Sequence, residues 1–468
     1  MNLKKNSKAE QNHNGLFKDL VLDKLADTTN VAQFVSFSPK LEQRYARIYG
    51  FPPNYAFDSV VESVSALLAA SPESSVNIRS FLPDQPQSHE FIYGLKSVEE
   101  VVQNLHRISS EGLYTIVNET VDVDDGGVSG VLQGGQVEFS PGVVPRFVEK
   151  SSAEAVSSIP LDVTVQMLRT VYGFEPEIAH YKYNMRVEFS IHPKRRGWKR
   201  SHTIIWEEEE FSSHAIEPFF VWPTSFSKFI GDKAYGLLVA HCLGFPVPRT
   251  TVFARNELLG IFTFGVRTDS SEIWMRTCPS EQVPGHFITA RGWQDPYVLM
   301  EKDDPEGDKI SSCLAQQEIP AQYSGAMLTT SEGAILEGVK GFGDLFMLGK
   351  VAPSELPQRI KDDLKQLHGQ LVETFGPVRF EWVHDGQSPW IVQLHTGVVQ
   401  SSERVIFPGD FDCVLDFNVE EGLETLRGLV KEAKETNCSI LVHGNIGMSS
   451  HIADVLRKSE VASRIVSK

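Results

Sequence analysis

Residues 378–394 read VRFEWVHDGQSPWIVQL. Two runs rich in β-branched and aromatic residues flank the turn His384-Asp-Gly-Gln387, and this pattern predicts a β-hairpin. Side chains of matching parity face one side of a strand, so Glu381 and Gln393 are expected on one face. A carboxylate and an amide oxygen arranged in this way are suitable ligands for one hard divalent cation.

Length and composition indicate a multidomain globular protein. The chain has 468 residues, 41% hydrophobic and 22% charged, which predicts two to four domains with substantial cores. The formal net charge of −17 argues against a general nucleic-acid binder. The exception is the basic stretch 194–200, KRRGWKR, which is typical of a solvated hairpin loop but would also suit a phosphate or nucleic-acid strand.

The cysteines and the apolar runs favour a cytoplasmic protein without a membrane partner. There are five cysteines, which is an odd number, and no pair has C-x-x-C spacing, so neither a disulfide framework nor a zinc cluster is expected. No apolar run approaches membrane-spanning length, and the polar start at 1–14 has no signal-peptide core. We expect residues 1–29 to be a disordered tail and lead-in.

The chain also repeats itself once. Five short matches recur in the same order with offsets between 193 and 199 residues. That period is too long for a solenoid repeat, so we predict tandem domains over 30–215 and 216–400, followed by a small unit over 401–468. The matching pairs are Gly50-Phe-Pro-Pro53 with Gly244-Phe-Pro-Val-Pro248, Ile78-Arg-Ser80 with Met275-Arg-Thr277, Asn118-Glu119 with Gln317-Glu318, Ser129-Gly-Val131 with Ser324-Gly-Ala326, and Arg186-Val-Glu-Phe189 with Arg379-Phe-Glu-Trp382.

Within each half, the pattern mixes short strands with amphipathic helices. Helices are predicted over Asp232–Leu243 and Leu356–Thr374, and strands over Val298–Met300, Ile310–Leu314 and several later segments. The fold class is therefore α+β with antiparallel hairpins. The first half keeps Arg79, Glu119 and Glu188 at matching positions but has lost the segment that matches 341–349, so it is predicted to be a degenerate copy. Lys40 lies close to the position that matches Lys233.

The second half offers the groups that a nucleotide triphosphate with magnesium requires. Lys233 lies at the start of a predicted helix and Arg276 at the end of a predicted strand. Fixed cations of this kind contact phosphate oxygens, and a guanidinium can do so in two-point fashion. Glu381 and Gln393 supply oxygen ligands for the metal.

Residues 229–397 resemble the ATP-grasp nucleotide-binding domain of the pyruvate phosphate dikinase and phosphoenolpyruvate synthase group. The resemblance implies that Lys233 and Arg276 contact phosphates and that Glu381 and Gln393 hold Mg²⁺. It also implies that Gln317 and Glu318 lie near the adenine and ribose of ATP. The segments that carry it are Gly231-Asp-Lys-Ala234, Leu243–Pro248, Met275-Arg-Thr277, the glycine loop with Gly341 and Gly343, and the Glu381–Gln393 hairpin. Asp232, Thr277 and Cys278 depart from the pattern, which leaves adenine or guanine preference open.

The tail contains a candidate phosphate carrier. Gly447-Met-Ser-Ser-His451-Ile-Ala453 resembles the Gly-Met-Thr-Ser-His-Ala-Ala segment of the phosphohistidine domain in the same group. The resemblance implies that His451 accepts a phosphoryl group and that Arg457 contacts it. A plain alternative is that Ser449 or Ser450 caps a helix and His451 is incidental.

Three functions remain open from the sequence. The first is an ATP·Mg²⁺-dependent phosphotransferase or synthetase of the dikinase type, acting through His451 with Lys233 and Arg276. The second is a non-catalytic nucleotide-binding regulator, and the third is an ATP-grasp carboxylate–amine ligase. The acceptor is a small molecule or macromolecule that the sequence does not identify, and homo-oligomers are compatible with all three.

Overall fold

The computed structural model describes residues 17–83, 85, 88–122, 125–140, 156–210, 216–281, 288–401, 404–409 and 413–466. The chain divides into two compact units. The first unit takes the described residues up to Glu138 and those between Pro176 and Ile216, and the second unit takes the rest. Each unit is described by itself.

The first part of the chain begins with a helix and then alternates strands with helices. Of its elements, β8 and α4 belong to the second unit. The elements are α1 Lys18–Thr28, β1 Phe34–Phe37, β2 Gln43–Arg47, α2 Val60–Ala70, β3 Val76–Phe81, β4 Phe91–Leu95, α3 Val98–Ser110, β5 Tyr114–Glu119, β6 Val128–Gln133, β7 Gln136–Phe139, β8 Ser157–Pro160, α4 Leu161–Tyr172, β9 Met185–Arg196 and β10 Ser201–Glu210.

The remaining elements all belong to the second unit. They are α5 Ser225–Ile230, α6 Asp232–Cys242, β11 Thr250–Ala254, β12 Ile261–Phe264, β13 Ile273–Pro279, β14 Thr289–Arg291, α7 Pro296–Asp303, β15 Ile310–Gln317, β16 Tyr323–Thr330, β17 Gly333–Lys340, α8 Asp344–Met347, α9 Gln358–Phe375, β18 Val378–His384, β19 Pro389–Thr396, β20 Val405–Phe407, β21 Cys413–Asn418, the 3-10 turn Val419–Glu421, α10 Gly422–Thr436, β22 Cys438–His443, α11 His451–Ser459 and β23 Ser463–Val466.

The first unit is built on an antiparallel sheet with strand order β2-β1-β5-β3-β4. Helices α2 and α3 cover one face, where Leu67 and Leu105 pack in one core with Ile78 and Val117. Helix α1 contributes Ala26 to a separate cluster with Phe34, Phe81 and Trp198. In a second sheet, β9 lies between β10 and β6, and β7 pairs with β6.

The second unit contains two antiparallel sheets, and a mixed sheet formed by its last four strands. Their strand orders are β12-β11-β15-β13-β14, β17-β16-β18-β19 and β20-β23-β22-β21. Helix α9 follows the predicted helical spacing, because its buried residues recur every three or four positions. These residues are Ile360, Leu364, Leu367, Leu371 and Phe375. The helix packs against β18 and β19.

The last sheet has its own core and one feature that the sequence did not predict. Strands β21, β22 and β23 run parallel, and α10 and α11 pack against them through Leu426, Ile440 and Leu456. Cys413 and Cys438 are register partners and form a disulfide. The sequence argument concerned a disulfide framework and did not predict this single pair, because spacing along the chain does not report which strands become neighbours.

Two local predictions also differ from the structure. The predicted lead-in over 1–29 includes α1, a helix from Lys18 to Thr28. Val298–Met300, predicted as a strand, lies in α7. There Asp295 caps the helix by accepting from the N–H groups of residues 297 and 298, and Pro296 occupies the first turn, so capping outweighs the β-propensity of a short apolar run.

One of the five sequence matches is not equivalent in the fold. Gly50 follows the β1–β2 hairpin, whereas Gly244 precedes β11. Lys40 lies in the turn between β1 and β2, so it is not the counterpart of Lys233, which starts the helix before β11. The residue in the corresponding place is Lys18 at the start of α1, and burial together with the nearby Arg79 lowers its pKa to about 8.

The basic stretch 194–200 makes contacts within the first unit through Arg196, Trp198 and Arg200. Arg196 is fully buried and pairs with Asp125 at 2.7 Å. The Trp198 indole donates to the carbonyl of Ala26, and the Arg200 guanidinium donates to a carbonyl of α2. Lys194, Arg195 and Lys199 remain exposed, so phosphate or nucleic-acid binding at 194–200 stays a prediction that these contacts do not support.

Among the described residues, no helix is both long enough and apolar enough to cross a bilayer.

Candidate functional site

The hairpin predicted from residues 378–394 is formed by β18 and β19. Glu381 and Gln393 are direct register partners, and the pairing shifts by one residue between Glu381 and Trp382. Both side chains are partly buried and line one small cavity. The structure thus presents a carboxylate and an amide from adjacent strands to the same space.

The two predicted cations reach this hairpin from another sheet and a helix. Arg276, on β13, donates from Nη1 to the carbonyl oxygen of Val392 at 2.7 Å, next to Gln393 in the chain. Lys233, the second residue of α6, donates from Nζ to the carbonyl oxygen of Thr277 at 3.1 Å. The four residues singled out by the sequence therefore converge, although their roles remain predictions.

Helix α6 can place Lys233 here because it packs unusually close to β19. A Cβ on Gly236 would lie only 2.3 Å from the carbonyl oxygen of Leu394, so the helix approaches the strand at a position that only glycine allows. This contact brings the helix that carries Lys233 against the strand that carries Gln393, next to Leu394.

The electrostatics of Lys233 reflect this crowding. Burial lowers the pKa of Lys233, and the charge on Arg276 lowers it further, while nearby Cys278, Glu381 and Asp232 act in the opposite direction. A polyanion between the two cations would favour the charged ammonium. The charges of Lys233 and Arg276 thus interact, with the carboxylates of Glu381 and Asp232 nearby.

Two residues of the site were not predicted as functional. His395 is 5% exposed, and its Nε2 lies 2.7 Å from the Gln393 amide nitrogen. Its Nδ1 lies 3.1 Å from a carboxylate oxygen of Asp232, which is 3% exposed. Burial would raise the pKa of Asp232, but interactions with His395, Lys458 and Arg379 together outweigh this and the pKa is lowered. The sequence could have indicated His395, because residues two apart on a strand face the same side and His395 lies two residues after Gln393.

Gln317 and Glu318 lie where the chain leaves β15 for β16, that is, between the two sheets. The Gln317 side-chain oxygen accepts from the N–H of Thr268 at 3.0 Å. Glu318 forms a two-point ion pair with Arg291 at 2.8 and 2.9 Å. Contact with adenine and ribose stays a prediction for both, and for Glu318 such contact would compete with Arg291.

Gly341 and Gly343 begin the loop after β17. The Gly341 carbonyl accepts from the Ser324 hydroxyl at 2.6 Å, and Gly343 precedes the short helix α8. Phe342 between them lies under the Arg291 guanidinium at 4.9 Å. The loop is thus held against β16 and the β14 arginine, and its role in binding phosphate stays a prediction.

His451 is the first residue of α11, and Ser450 caps that helix by accepting from Ala453 N–H. Burial lowers the pKa of His451; Glu381 and Asp454 oppose this, and Lys233 adds to it. His451 therefore lies within electrostatic reach of both the acid and the lysine of the nucleotide site. Arg457 already has partners of its own, because it donates to the Met448 carbonyl at 2.7 Å and pairs with Asp454.

One cavity joins these parts of the second unit. Its lining includes the hairpin residues together with residues of the Ser449–Asp454 segment, so the last sheet contributes to the same space as the hairpin. The lining residues are Ala326, Met347, Arg379, Phe380, Glu381, Gln393, His395, Ser449 and Asp454. In the part of the chain that the structure describes, no three His, Cys, Asp or Glu side chains form a ready metal site.

Comparison with known proteins gives partial structural matches. No protein-family profile and no curated protein matches the chain. Solved structures that match include the D-alanine–D-alanine ligase from Bacillus anthracis complexed with ATP, at 11% identity over 37% of this chain and 56% of that chain, with a TM-score of 0.25. The RimK domain protein ATP-grasp from Sphaerobacter thermophilus matches at 16% identity over 49% of this chain and 67% of that chain, with a TM-score of 0.23.

A third match is the macrocyclase MdnB from Microcystis aeruginosa, at 15% identity over 36% of this chain and 53% of that chain, with a TM-score of 0.22. The chain spans roughly half the length of this macrocyclase and of the Bacillus anthracis ligase. One of the matched structures is described as ATP-grasp, the fold that the sequence predicts, whereas the dikinase group is not shown. Overlap this small leaves function to be inferred from the site.

Proposed function

We propose that this chain is an ATP·Mg²⁺-dependent enzyme of ATP-grasp type that transfers the γ-phosphoryl group of ATP to a carboxylate and then joins the acyl group to an amine. The observation that carries this proposal is the convergence of Lys233 and Arg276 with the Glu381–Gln393 pair. A carboxylate oxygen would attack the γ-phosphorus and ADP would leave. The amine nitrogen would then attack the carbonyl carbon of the acyl phosphate, and phosphate would leave.

The metal that this chemistry requires fits the residues present. Glu381 and Gln393 would supply two oxygen ligands, and phosphate oxygens and water would complete the octahedral shell that Mg²⁺ prefers. The absence of a three-residue cluster among the described side chains agrees with a metal that arrives with its nucleotide. When bound, the ion would neutralise charge on the transferring phosphoryl group.

The cations of the site act by position and charge. Lys233 and Arg276 would bind phosphate oxygens and stabilise the negative charge that builds up during transfer. Because both side chains already donate to main-chain carbonyls of the site, their free N–H groups are held in place before the nucleotide binds. Such preorganisation lowers the entropic cost of the reaction.

Phosphoryl transfer to His451 is a second candidate, favoured by the electrostatic proximity of His451 to Glu381 and Lys233. We place it second because Glu381 and Asp454 both lie close to the imidazole, and a phosphoryl group on it would meet two like charges. Arg457, which the resemblance assigned to the phosphate, is paired with Asp454.

We also propose that the two halves arose by duplication. The strand orders β2-β1-β5-β3-β4 and β12-β11-β15-β13-β14 have the same pattern, which supports this. The registers agree as well, since Val131 pairs with Glu188 as Ala326 pairs with Glu381. Glu188 faces Glu207 across the first hairpin, as Glu381 faces Gln393 across the second.

The test follows γ-labelled ATP through the reaction. Wild-type protein with Mg²⁺ is expected to release ADP and phosphate only when a carboxylate and an amine are both supplied, screened as a panel of amino acids and dipeptides. Lys233→Met and Glu381→Gln should each lower turnover by at least 100-fold. Lys365→Met and Glu373→Gln, at exposed positions of α9, are matched controls that should leave it unchanged.

The same labelling separates the alternatives. Acid-labile label on the protein that His451→Ala abolishes would replace the ligase with a phosphohistidine enzyme, and β-labelled ATP would then report dikinase-type cleavage. Tight ATP binding with no ADP formed under any condition would indicate a regulator. Full turnover in Glu381→Gln would overturn the proposed site.

A further inference from the structure

A chain of contacts runs from α6 to the proposed metal ligand. Asp232 contacts His395 Nδ1 at 3.1 Å, and His395 Nε2 lies 2.7 Å from the Gln393 amide nitrogen. Asp232 and His395 are both buried. None of these contacts is needed to form the β18–β19 ladder, whose backbone pairing already fixes the strands.

The order of donors along this chain is dictated by chemistry. The Gln393 amide nitrogen only donates hydrogen bonds, so His395 Nε2, which lies 2.7 Å from it, is the acceptor, and the ring proton lies on Nδ1 beside Asp232. The other ring nitrogen, Nε2, then has a lone pair and accepts a hydrogen from the Gln393 amide.

This donation decides which end of the Gln393 amide faces the cavity. An amide has a nitrogen end that only donates and an oxygen end that only accepts, and a hydrogen-bond network selects between the two orientations. With its nitrogen held by His395, the amide turns its oxygen away from the ring. Only the oxygen end is able to bind a cation, so the opposite orientation would place N–H groups beside Glu381 and lose the ligand.

We propose that His395, held by Asp232, is a positioning residue that orients the Gln393 amide so that its oxygen joins Glu381 in binding the divalent cation. This inference rests on the proposed function. Asp232 is also the residue before Lys233 on α6. The first turn of α6 therefore contains both the proposed phosphate contact, Lys233, and the residue that acts through His395 on the amide of Gln393.

The test measures metal affinity rather than activity. Mn²⁺ binding, followed by electron paramagnetic resonance in the presence of a non-hydrolysable ATP analogue, is compared between wild type and His395→Ala. Outer-shell partners of metal ligands typically contribute 10–100-fold to affinity, and we expect a loss of about that size. Asp232→Asn should give a smaller loss, and analogue binding without metal should change by less than about twofold in both.

A rescue variant separates orientation from a structural role. A carboxylate presents an oxygen in either orientation, so adding Gln393→Glu to His395→Ala should restore Mn²⁺ affinity to within a few-fold of wild type. His368→Ala is the control, since His368 is a partly buried histidine that contacts Thr329 at 2.9 Å instead of the site. Circular dichroism would verify that each variant is folded.

The outcomes are distinct. Unchanged Mn²⁺ affinity in His395→Ala, or a loss that Gln393→Glu does not repair, would overturn the positioning role while leaving the nucleotide site intact. Wild-type protein that binds neither the analogue nor Mn²⁺ would overturn both the proposed function and this inference.

Discussion

Glu337 accepts hydrogen bonds from both the backbone N–H and the hydroxyl of Ser449, at 2.8 and 2.6 Å. A third bond comes from the N–H of Met448 at 2.9 Å. These donors lie in the loop that leads into α11, the segment that resembles part of a phosphohistidine domain. In the structure the carboxylate of Glu337, on β17, takes these donors and ties the loop to the sheet that bears Glu381.

Replacing this carboxylate should loosen the loop. Hydrogen bonds to charged groups contribute about 1.5–3 kcal/mol each, so we expect Glu337→Gln to lower amide-exchange protection over residues 447–456 by about 10–100-fold. Hydrogen exchange with mass spectrometry measures this directly. Glu332→Gln, in the turn before β17, removes a carboxylate without touching the loop and should leave protection unchanged. Equal exchange in both variants would contradict the role given to Glu337.

Gly349 provides a second test of how this segment packs. It has a φ of +73°, and a Cβ there would lie 2.7 Å from Cδ1 of Ile452 in α11. Gly341 has a similar φ of +80° with no atom within 4 Å of its Cβ position. Both alanine variants incur backbone strain of about 1 kcal/mol, but only Gly349→Ala should also push against α11.

We therefore expect Gly349→Ala to destabilise the protein by about 1–3 kcal/mol more than Gly341→Ala, as overpacking of a core does. Urea unfolding of the two variants side by side measures the difference. Equal losses would mean that α11 yields to the added methyl group without cost.

Asp454 is a buried carboxylate between two arginines. It pairs with Arg379 of β18 at 2.6 Å and with Arg457 one turn along α11. Burial alone would raise the pKa of Asp454, but the two guanidinium groups outweigh this and the pKa is lowered. Asp454→Ala would leave two poorly solvated cations without a counter-ion, which typically costs about 3–5 kcal/mol.

The matched comparison is Glu424→Ala, which removes an exposed carboxylate paired with Arg427 on α10. Exposed pairs contribute about 0–1 kcal/mol, so this variant should unfold close to wild type. Equilibrium unfolding in urea separates the two cases. If Asp454→Ala were no more costly than Glu424→Ala, the arginines would have to find other partners or water.

How much of this could be predicted from the sequence depends on the range of the interaction. The Glu381–Gln393 hairpin was predictable because alternation, a tight turn and side-chain parity are local properties of 17 residues. Helix α9 was predictable for the same reason, from its periodic apolar residues. Its start and end differ by only one or two residues from the predicted bounds.

The features that were missed depend on contacts between distant segments. Nothing near Asp232 indicates that it will contact His395, and nothing near Cys413 indicates that Cys438 will lie on the next strand. The Gly50 match was wrong for a related reason. An identity of three consecutive residues does not specify whether the segment precedes or follows a strand pair, and only the strand order separates the two.

The first hairpin gives a prediction about pH. Burial, a hydrogen bond with Glu209 and the charge of Glu188 raise the pKa of Glu207 to about 7, although Arg186 opposes this. This pKa lies above that of an unfolded glutamate, so the protonated side chain stabilises the folded state. The contribution of Glu207 to the free energy of unfolding is therefore fully present below about pH 4.5 and is lost as the pH rises through 7. The test replaces Glu207 by glutamine, which mimics the protonated side chain at every pH. Glu207→Gln should therefore have the same melting temperature as wild type at pH 5 and one about 2–4 °C higher at pH 8. The difference in melting temperature is small because the side chain of Glu207 is only half-buried. Glu210→Gln, at the exposed end of the same strand, is the control and should melt like wild type at both pH values. Identical melting of Glu207→Gln and wild type at pH 8 would contradict the prediction, because the charged Glu207 would then not destabilise the fold.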